Sequence, residues 1–230
     1  MQNKGFFSVA VKAALVVSFF VAGVSQAAKL ETDQQKYSYA IGVQIAGSLQ
    51  RETMGIDVSA LIQAIEDVMT DADIQMSEDE MRSVFMRAQE EQMQKMNVLA
   101  EKNLQEGQAY LSSNKSKAGV VELESGLQYK VLAEGKGKKP AATDTVEVHY
   151  RGTLINGDEF DSSYSRGVPS TFPVNGVIQG WQEILTMMNE GAKWQVFIPS
   201  LLAYGQRGAP GGKIGPNATL VFDIELIAVK

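Results

Sequence analysis

Tyr150, Phe160, Asp161, Val177, Ile178, Trp181, Tyr204 and Phe222 gather the chemistry-bearing side chains of this 230-residue chain into one stretch of its C-terminal half. They form a large aromatic and aliphatic load with one recurrent carboxylate and two phenols, spread over short strand-like runs broken by glycines. The chain has no cysteine, which excludes a disulfide framework, a thiolate nucleophile and a cysteine-based zinc site. Its single histidine, His149, alternates with Val148 and Tyr150 in VEVHY and so points away from their face. Glu90-Glu91 and Glu122 with Glu124 lie on solvated stretches. The glycines of GKG near Lys136 and of GAPGG near Pro210 lack P-loop spacing and read as turns. A set of this kind can hold an apolar group and aim hydrogen bonds at it. It lacks the activated nucleophile that covalent catalysis requires, and no metal or cofactor is expected.

The elements that must carry these residues begin at Gly119. Leu127, Tyr129 and Val131 alternate, as do Val146, Val148 and Tyr150, and again Leu220, Phe222, Ile224 and Leu226. Period two bounded by Gly, Asn and Pro predicts antiparallel strands, and Asn156-Gly157 predicts a hairpin turn between LI and EFD. VIQGWQEILTMM is the one convincing helix of this half and would cover a face of the sheet. The result is an α+β architecture, a twisted sheet wrapped on a short helix.

Four blocks occur in order here: VHYRGTLINGDEFDSS, VIQGWQE, LAYGQRG and NATLVFDIEL. Over residues 119–230 they resemble the signature blocks of the FKBP family of peptidyl-prolyl cis/trans isomerases. The resemblance implies the FKBP fold and an activity that needs no bond cleavage. It implies Trp181 as an aromatic floor, with Tyr150, Phe160, Val177, Ile178 and Phe222 as walls and Ile214 as a cap. The Ile178 backbone N–H and the Tyr204 hydroxyl would hold substrate carbonyls. Asp161, matched with Arg166, would polarise the pocket without transferring a proton. Asp161, Tyr204, Ile178 and Trp181 are thus assigned to catalysis, and Tyr150, Phe160, Arg166, Val177, Ile214 and Phe222 to substrate binding. Taken singly, Phe222, Val177 and Trp181 also read as plain core. The chain departs from the family pattern at Ser170, which replaces an aromatic wall residue, at Ala209, and in a longer Gly211-Gly212-Lys213-Ile214 loop. Rapamycin-type macrolides are expected to bind.

The N-terminal half reads differently. Lys4, an apolar run over Val9–Val24 interrupted by Lys12, and Ser25-Gln26-Ala27 predict a signal peptide over residues 1–27, cleaved after Ala27. The alternative, an uncleaved anchor, must accommodate a charge in a run short for a span of ~20 residues. Export to the periplasm follows, with outer-membrane association left open. Thr32 with Gln35 and Ser77 with Glu80 are capping boxes. They start a helix bearing Tyr37, Ile41 and Ile45 and another running over 77–114, on the order of 50 Å at ~1.5 Å per residue. A second helix with Leu61-Ile62, Ile65 and Val68-Met69 lies between them. The long helix is read as projecting to join two bodies.

Small helical units bury little surface alone, so residues 28–98 are read as a homodimerisation domain. This matches the Mip- and FkpA-like periplasmic members of the FKBP family, which the N-terminal half resembles. Seven of the ten methionines lie between Met54 and Met96. They read as dimer core or as an adaptable client surface. The formal net charge of -6, with no basic run, argues against nucleic acid as a partner. The expected partners are proline-containing unfolded polypeptides and a second copy of the chain. Two other functions stay open: an ATP-independent holdase, and a surface-displayed host-interaction factor.

Overall fold

The structure, a computed structural model, describes residues 29–49 and 55–230. The expected signal peptide and Met54 lie outside the described residues. The chain divides into two compact units, residues 1–63 and 64–230.

Both N-terminal capping boxes form. Gln35 N–H donates to Thr32 Oγ1 at 3.2 Å and opens α1 (Asp33–Leu49). Ser77 caps α3 (Glu78–Asn114) from the backbone N–H of Glu80, whose carboxylate returns to the Ser77 N–H at 2.8 Å. Between them Asp57 Oδ1 accepts from the N–H groups of Ser59 and Ala60 at the start of α2 (Val58–Met69). Neither α1 nor α2 buries a residue.

At about 1.5 Å per residue, α3 spans roughly 55 Å, and its C-terminal part belongs to the sheet domain. Asn103 Nδ2 donates to the Pro216 carbonyl at 2.7 Å, and Asn217 Nδ2 to that of Ala100 at 3.3 Å. Gly107 sits against Thr219, where a Cβ would fall 2.3 Å from Oγ1. At its last turns Asn114 and Gln128 are both buried and hydrogen-bonded at 3.0 Å, and Gln128 also donates to the Leu111 carbonyl at 2.9 Å. The C-terminal part of the helix expected to project is therefore packed on the sheet domain.

Seven antiparallel strands follow: β1 (Val120–Glu122), β2 (Gln128–Ala133), β3 (Thr145–Leu154), β4 (Glu159–Ser162), β5 (Ser170–Pro173), β6 (Lys193–Ile198) and β7 (Leu220–Val229). They order as β1-β2-β6-β7-β3-β4, with β5 continuing the β4 side of β3. The alternation in β3 and β7 buries Val146, Val148, Tyr150, Leu220, Phe222, Ile224 and Leu226 on the inner face. The Asn156-Gly157 turn closes β3 onto β4, with Gly157 at φ 93, a conformation that suits glycine. The short helix α4 (Ser163–Arg166) leaves β4, and α5 (Gln179–Leu185) lies against the inner face through Trp181, Ile184 and Leu185. Gly180 lets α5 approach β6, since a Cβ there would meet Ile198 at 2.5 Å.

Candidate active site

Between α5 and the sheet lies a cavity of about 360 Å³ lined by Tyr150, Phe160, Asp161, Phe172, Gly176, Val177, Ile178, Trp181, Tyr204 and Phe222. Its floor is the Trp181 indole, only 4% exposed. Three rings stand on that indole edge to face: Tyr150 at 5.3 Å and 88°, Phe222 at 5.3 Å and 82°, and Phe172 at 6.0 Å and 89°. Phe160 meets Phe222 at 5.5 Å and 82°. Such perpendicular pairs suit the ring quadrupoles and fix the wall positions. Gly152 makes room for them, because a Cβ there would lie 2.6 Å from the Phe160 ring and 2.7 Å from that of Phe222.

One wall carries a charge, and its partners come from the local chain path. Ser162 caps α4 by accepting from the Ser165 N–H, and Gly167 ends it at φ 75. This single turn brings Arg166 back over Tyr150, with its guanidinium carbon 5.5 Å from the ring centroid. Arg166 Nη1 pairs with Asp161 Oδ1, and the Tyr150 hydroxyl donates to Asp161 Oδ2. Arg166 Nη2 donates to the Tyr150 oxygen at 2.9 Å and to Ser170 Oγ at 3.0 Å. Burial pushes the Asp161 carboxyl up, but the bonds from Tyr150 and Arg166 together with the guanidinium charge outweigh it and hold the carboxyl below its ordinary value. Burial, then the bond to Asp161, pushes the Tyr150 phenol up. Asp161 is therefore an ionised, anchored group, poorly suited to shuttling protons at neutral pH.

Two lining residues, Ile178 and Tyr204, carry a donor that meets no acceptor among the described residues. Among the described residues the Ile178 N–H meets no acceptor, although its carbonyl receives the N–H groups of Trp181 and Gln182. Gln182 Nε2 steadies the approach to this position by donating to the Val177 carbonyl at 2.7 Å. Tyr204, 39% exposed, brings its phenol to the cavity from the turn after β6. The Trp181 Nε1–H is buried and without a partner among the described residues. An apolar chamber with a few convergent donors and no nucleophile binds and polarises; it does not cleave.

The cavity thus brings together eight of the ten residues singled out from the sequence. Arg166 stands behind the lining, bonded to Asp161 and Tyr150. Ile214 is not part of the lining; it is 6% exposed in the hydrophobic core. The loop instead reaches the site through Lys213, whose Nζ donates to the Phe160 carbonyl at 3.3 Å. His149 stacks on Tyr164 at 4.7 Å, away from the cavity. Sequence reasoning missed Phe172. It noted the loss of an aromatic at Ser170, yet Phe172 supplies a ring two residues on, on the same face of β5. Its pairing with Val146 places it there, and the short alternation in STF was the available signal.

The fold and this chamber define a class: proteins with an antiparallel sheet wrapped on a short helix around an aromatic cavity edged by a few hydrogen-bonding groups. Residues 136–227 match the family described as FKBP-type peptidyl-prolyl cis-trans isomerase. Residues 34–131 match the domain amino terminal to FKBP-type peptidyl-prolyl isomerase. The chain is 47% identical over 211 residues to the peptidyl-prolyl cis-trans isomerase Mip of Coxiella burnetii, covering 89% of this chain and 90% of that protein. It is 45% identical to the outer membrane protein MIP of Legionella longbeachae over 90% of each. The crystal structure of FkpA from Escherichia coli superposes with a TM-score of 0.63 at 37% identity, covering 88% of this chain and 99% of that one. The chain belongs to the FKBP-type peptidyl-prolyl cis-trans isomerases. It is an enzyme of that class, with an α-helical N-terminal region ahead of an FKBP fold.

Proposed function

We propose that the enzyme accelerates Xaa-Pro isomerisation in exported polypeptides by binding the twisted amide without covalent chemistry. The barrier to rotation is about 18–20 kcal/mol because resonance keeps the amide planar. Twisting removes that resonance, so the carbonyl loses part of its dipole and the nitrogen becomes pyramidal. A dry aromatic chamber disfavours the twisted state less than the planar one, which is differential binding of the transition state. The proline ring sits on Trp181 between Tyr150, Phe160, Phe172 and Phe222. The Ile178 N–H and the Tyr204 hydroxyl hold the flanking carbonyls and fix the twist, while the Asp161–Tyr150–Arg166 set polarises one wall. The observation that carries this reading is the pair of unspent donors over an apolar floor in a cavity without a nucleophile. Rapamycin-type macrolides would occupy the same floor.

The N-terminal helices support a homodimer. A single chain leaves Ile62, Ile65 and Val68 of α2 and Phe85 and Met86 of α3 exposed, and Gly42 and Gly47 keep α1 open to close approach. A second copy would cover these faces and present two chambers to one client, raising their effective concentration. The predicted leader and the likeness to the Legionella outer membrane protein support export to the periplasm or outer membrane. A holdase role has support of its own in Met69, Met86 and Met93, all more than half exposed.

The test is cis/trans exchange of an Ala-Xaa-Pro-Phe peptide, measured by NMR with the full chain and with its Asp161→Leu and Tyr204→Phe variants. Fast exchange that weakens in both supports the proposal. Equal exchange with all three would remove these groups from the mechanism.

A further inference from the structure

Tyr150 stands where β3 loses its neighbour. Arg151 and Gly152 pair with Ser162 and Asp161 of β4, but at Ser163 the chain leaves the sheet for α4. On the same side β5 resumes the pairing only at Val148. One side-chain atom fills this gap. Ser163 Oγ accepts the Tyr150 N–H at 2.8 Å and lies 3.2 Å from the Tyr150 carbonyl, to which it can donate. Ser163 is 0% exposed, so without this hydroxyl both backbone groups would be buried and unpaired, a costly state.

A third group meets the same oxygen. His149 Nδ1 lies 2.9 Å from Ser163 Oγ. A hydroxyl offers one proton and two lone pairs. One lone pair is taken by the Tyr150 N–H. The proton can serve the Tyr150 carbonyl or an unprotonated His149 Nδ1, but not both. When Nδ1 carries a proton the ring becomes the donor, and the hydroxyl proton is directed to the Tyr150 carbonyl. The ring meets Ser163 and stacks on Tyr164 of α4, and its cross-strand neighbour is Glu225 on β7; Lys193 of β6 pairs with Glu225 at 3.8 Å and lies over the Tyr164 ring.

We infer that Ser163 is a positioning residue for the isomerase site. Its hydroxyl holds both backbone groups of Tyr150 where the phenol reaches Asp161, and His149 Nδ1 competes with the Tyr150 carbonyl at the same oxygen. The catalytic consequence rests on the isomerase reading of the cavity; the clamp itself does not. Ser163 touches no substrate, and the effect passes through Tyr150.

The experiment uses the full chain. Ser163→Ala is expected to exchange its Tyr150 amide hydrogen about tenfold faster and to lose about tenfold in kcat/KM, the scale of one hydrogen bond. Burial raises the Asp161 carboxyl, and the Tyr150 bond is the largest influence that lowers it. Its titration, followed by carbon NMR, should therefore move up in the variant. A merely structural serine would lower the urea midpoint and leave that titration in place. A folded Ser163→Ala protein with unchanged Asp161 titration and kcat/KM would overturn the inference. If the wild type proves inactive while the amide and the titration still respond, the isomerase reading fails and the clamp stands. A second arm needs no Ser163 variant. The Tyr150 carbonyl shift should differ between the wild type and His149→Phe, which removes the ring nitrogen that competes for the Ser163 hydroxyl. A Tyr150 shift independent of His149 would also overturn it.

Discussion

Gly152→Ala adds a single methyl group at the point where two cavity walls approach the backbone. Gly152 lies within β3 in extended conformation, so alanine is sterically allowed by the backbone. On that count alone the change would stabilise by about 0.4–1 kcal/mol through the unfolded chain. The clash reverses the sign. The new carbon would sit 2.6 Å from two carbons of the Phe160 ring and 2.7 Å from one of Phe222. An ordinary contact lies near 3.5 Å, so each ring must retreat by roughly 1 Å, and overpacking of this kind costs about 1–3 kcal/mol. Both rings line a cavity of about 360 Å³, and Phe222 stands on the Trp181 floor at 5.3 Å. Their retreat narrows the space for the proline ring. A displacement near 1 Å at a reacting centre can cost about a hundredfold, so kcat/KM should fall by about ten- to a hundredfold while the variant stays folded. The assay pairs urea unfolding with peptide exchange by NMR. A Gly152→Ala enzyme with wild-type kcat/KM would show that Phe160 and Phe222 do not bound the substrate, and the wall assignment would fail.

Tyr150→Phe leaves the ring on Trp181 and removes one of the donors to Asp161; it should reduce kcat/KM and raise the Asp161 titration, both read by NMR. Asp161 has a depressed folded value, so its contribution to stability is fully present above the unfolded value of about 3.9. It is lost as pH falls through the lower folded value. The difference in urea midpoint between wild type and Asp161→Asn should accordingly be flat from pH 8 to 5 and shrink below about 4. Gln128→Leu leaves the buried Asn114 amide without its acceptor. It should destabilise by about 1–3 kcal/mol, measured by urea unfolding, with the cavity chemistry intact.

Strands whose inner faces alternate cleanly were legible, and so was α5, because period two and a helix-period run survive in a single sequence. β6 alternates over Lys193–Val196, but Phe197 is buried between Val196 and Ile198, which leaves only four residues of alternation to read. β4 and β5 are four residues each and owe their places to pairing with β3. The cavity was legible in its large rings and its carboxylate, since few other residue types could do that work. Phe172 was obscured because Ser170 drew attention to a loss. Ser163 was hidden because a serine clamp depends on where two strands part, which no local pattern records. The docking of α3 was equally silent: Gly107 looks like a weak helix position until Thr219 is seen against it.

The Ile178 N–H, proposed to hold the twisted amide, can be removed by a single substitution. Ile178 has φ -59 and ψ 152, values that proline adopts, and Val177 before it has φ -103 and ψ 173, which proline tolerates. Ile178→Pro therefore removes that donor with little change of backbone, and Ile178→Val controls for the side chain. We would measure cis/trans exchange of the same peptide with wild type and both variants. Near wild-type exchange is expected for Ile178→Val and a loss of about tenfold or more for Ile178→Pro, the value of one hydrogen bond made in the transition state. Equal rates for the two variants would contradict that role.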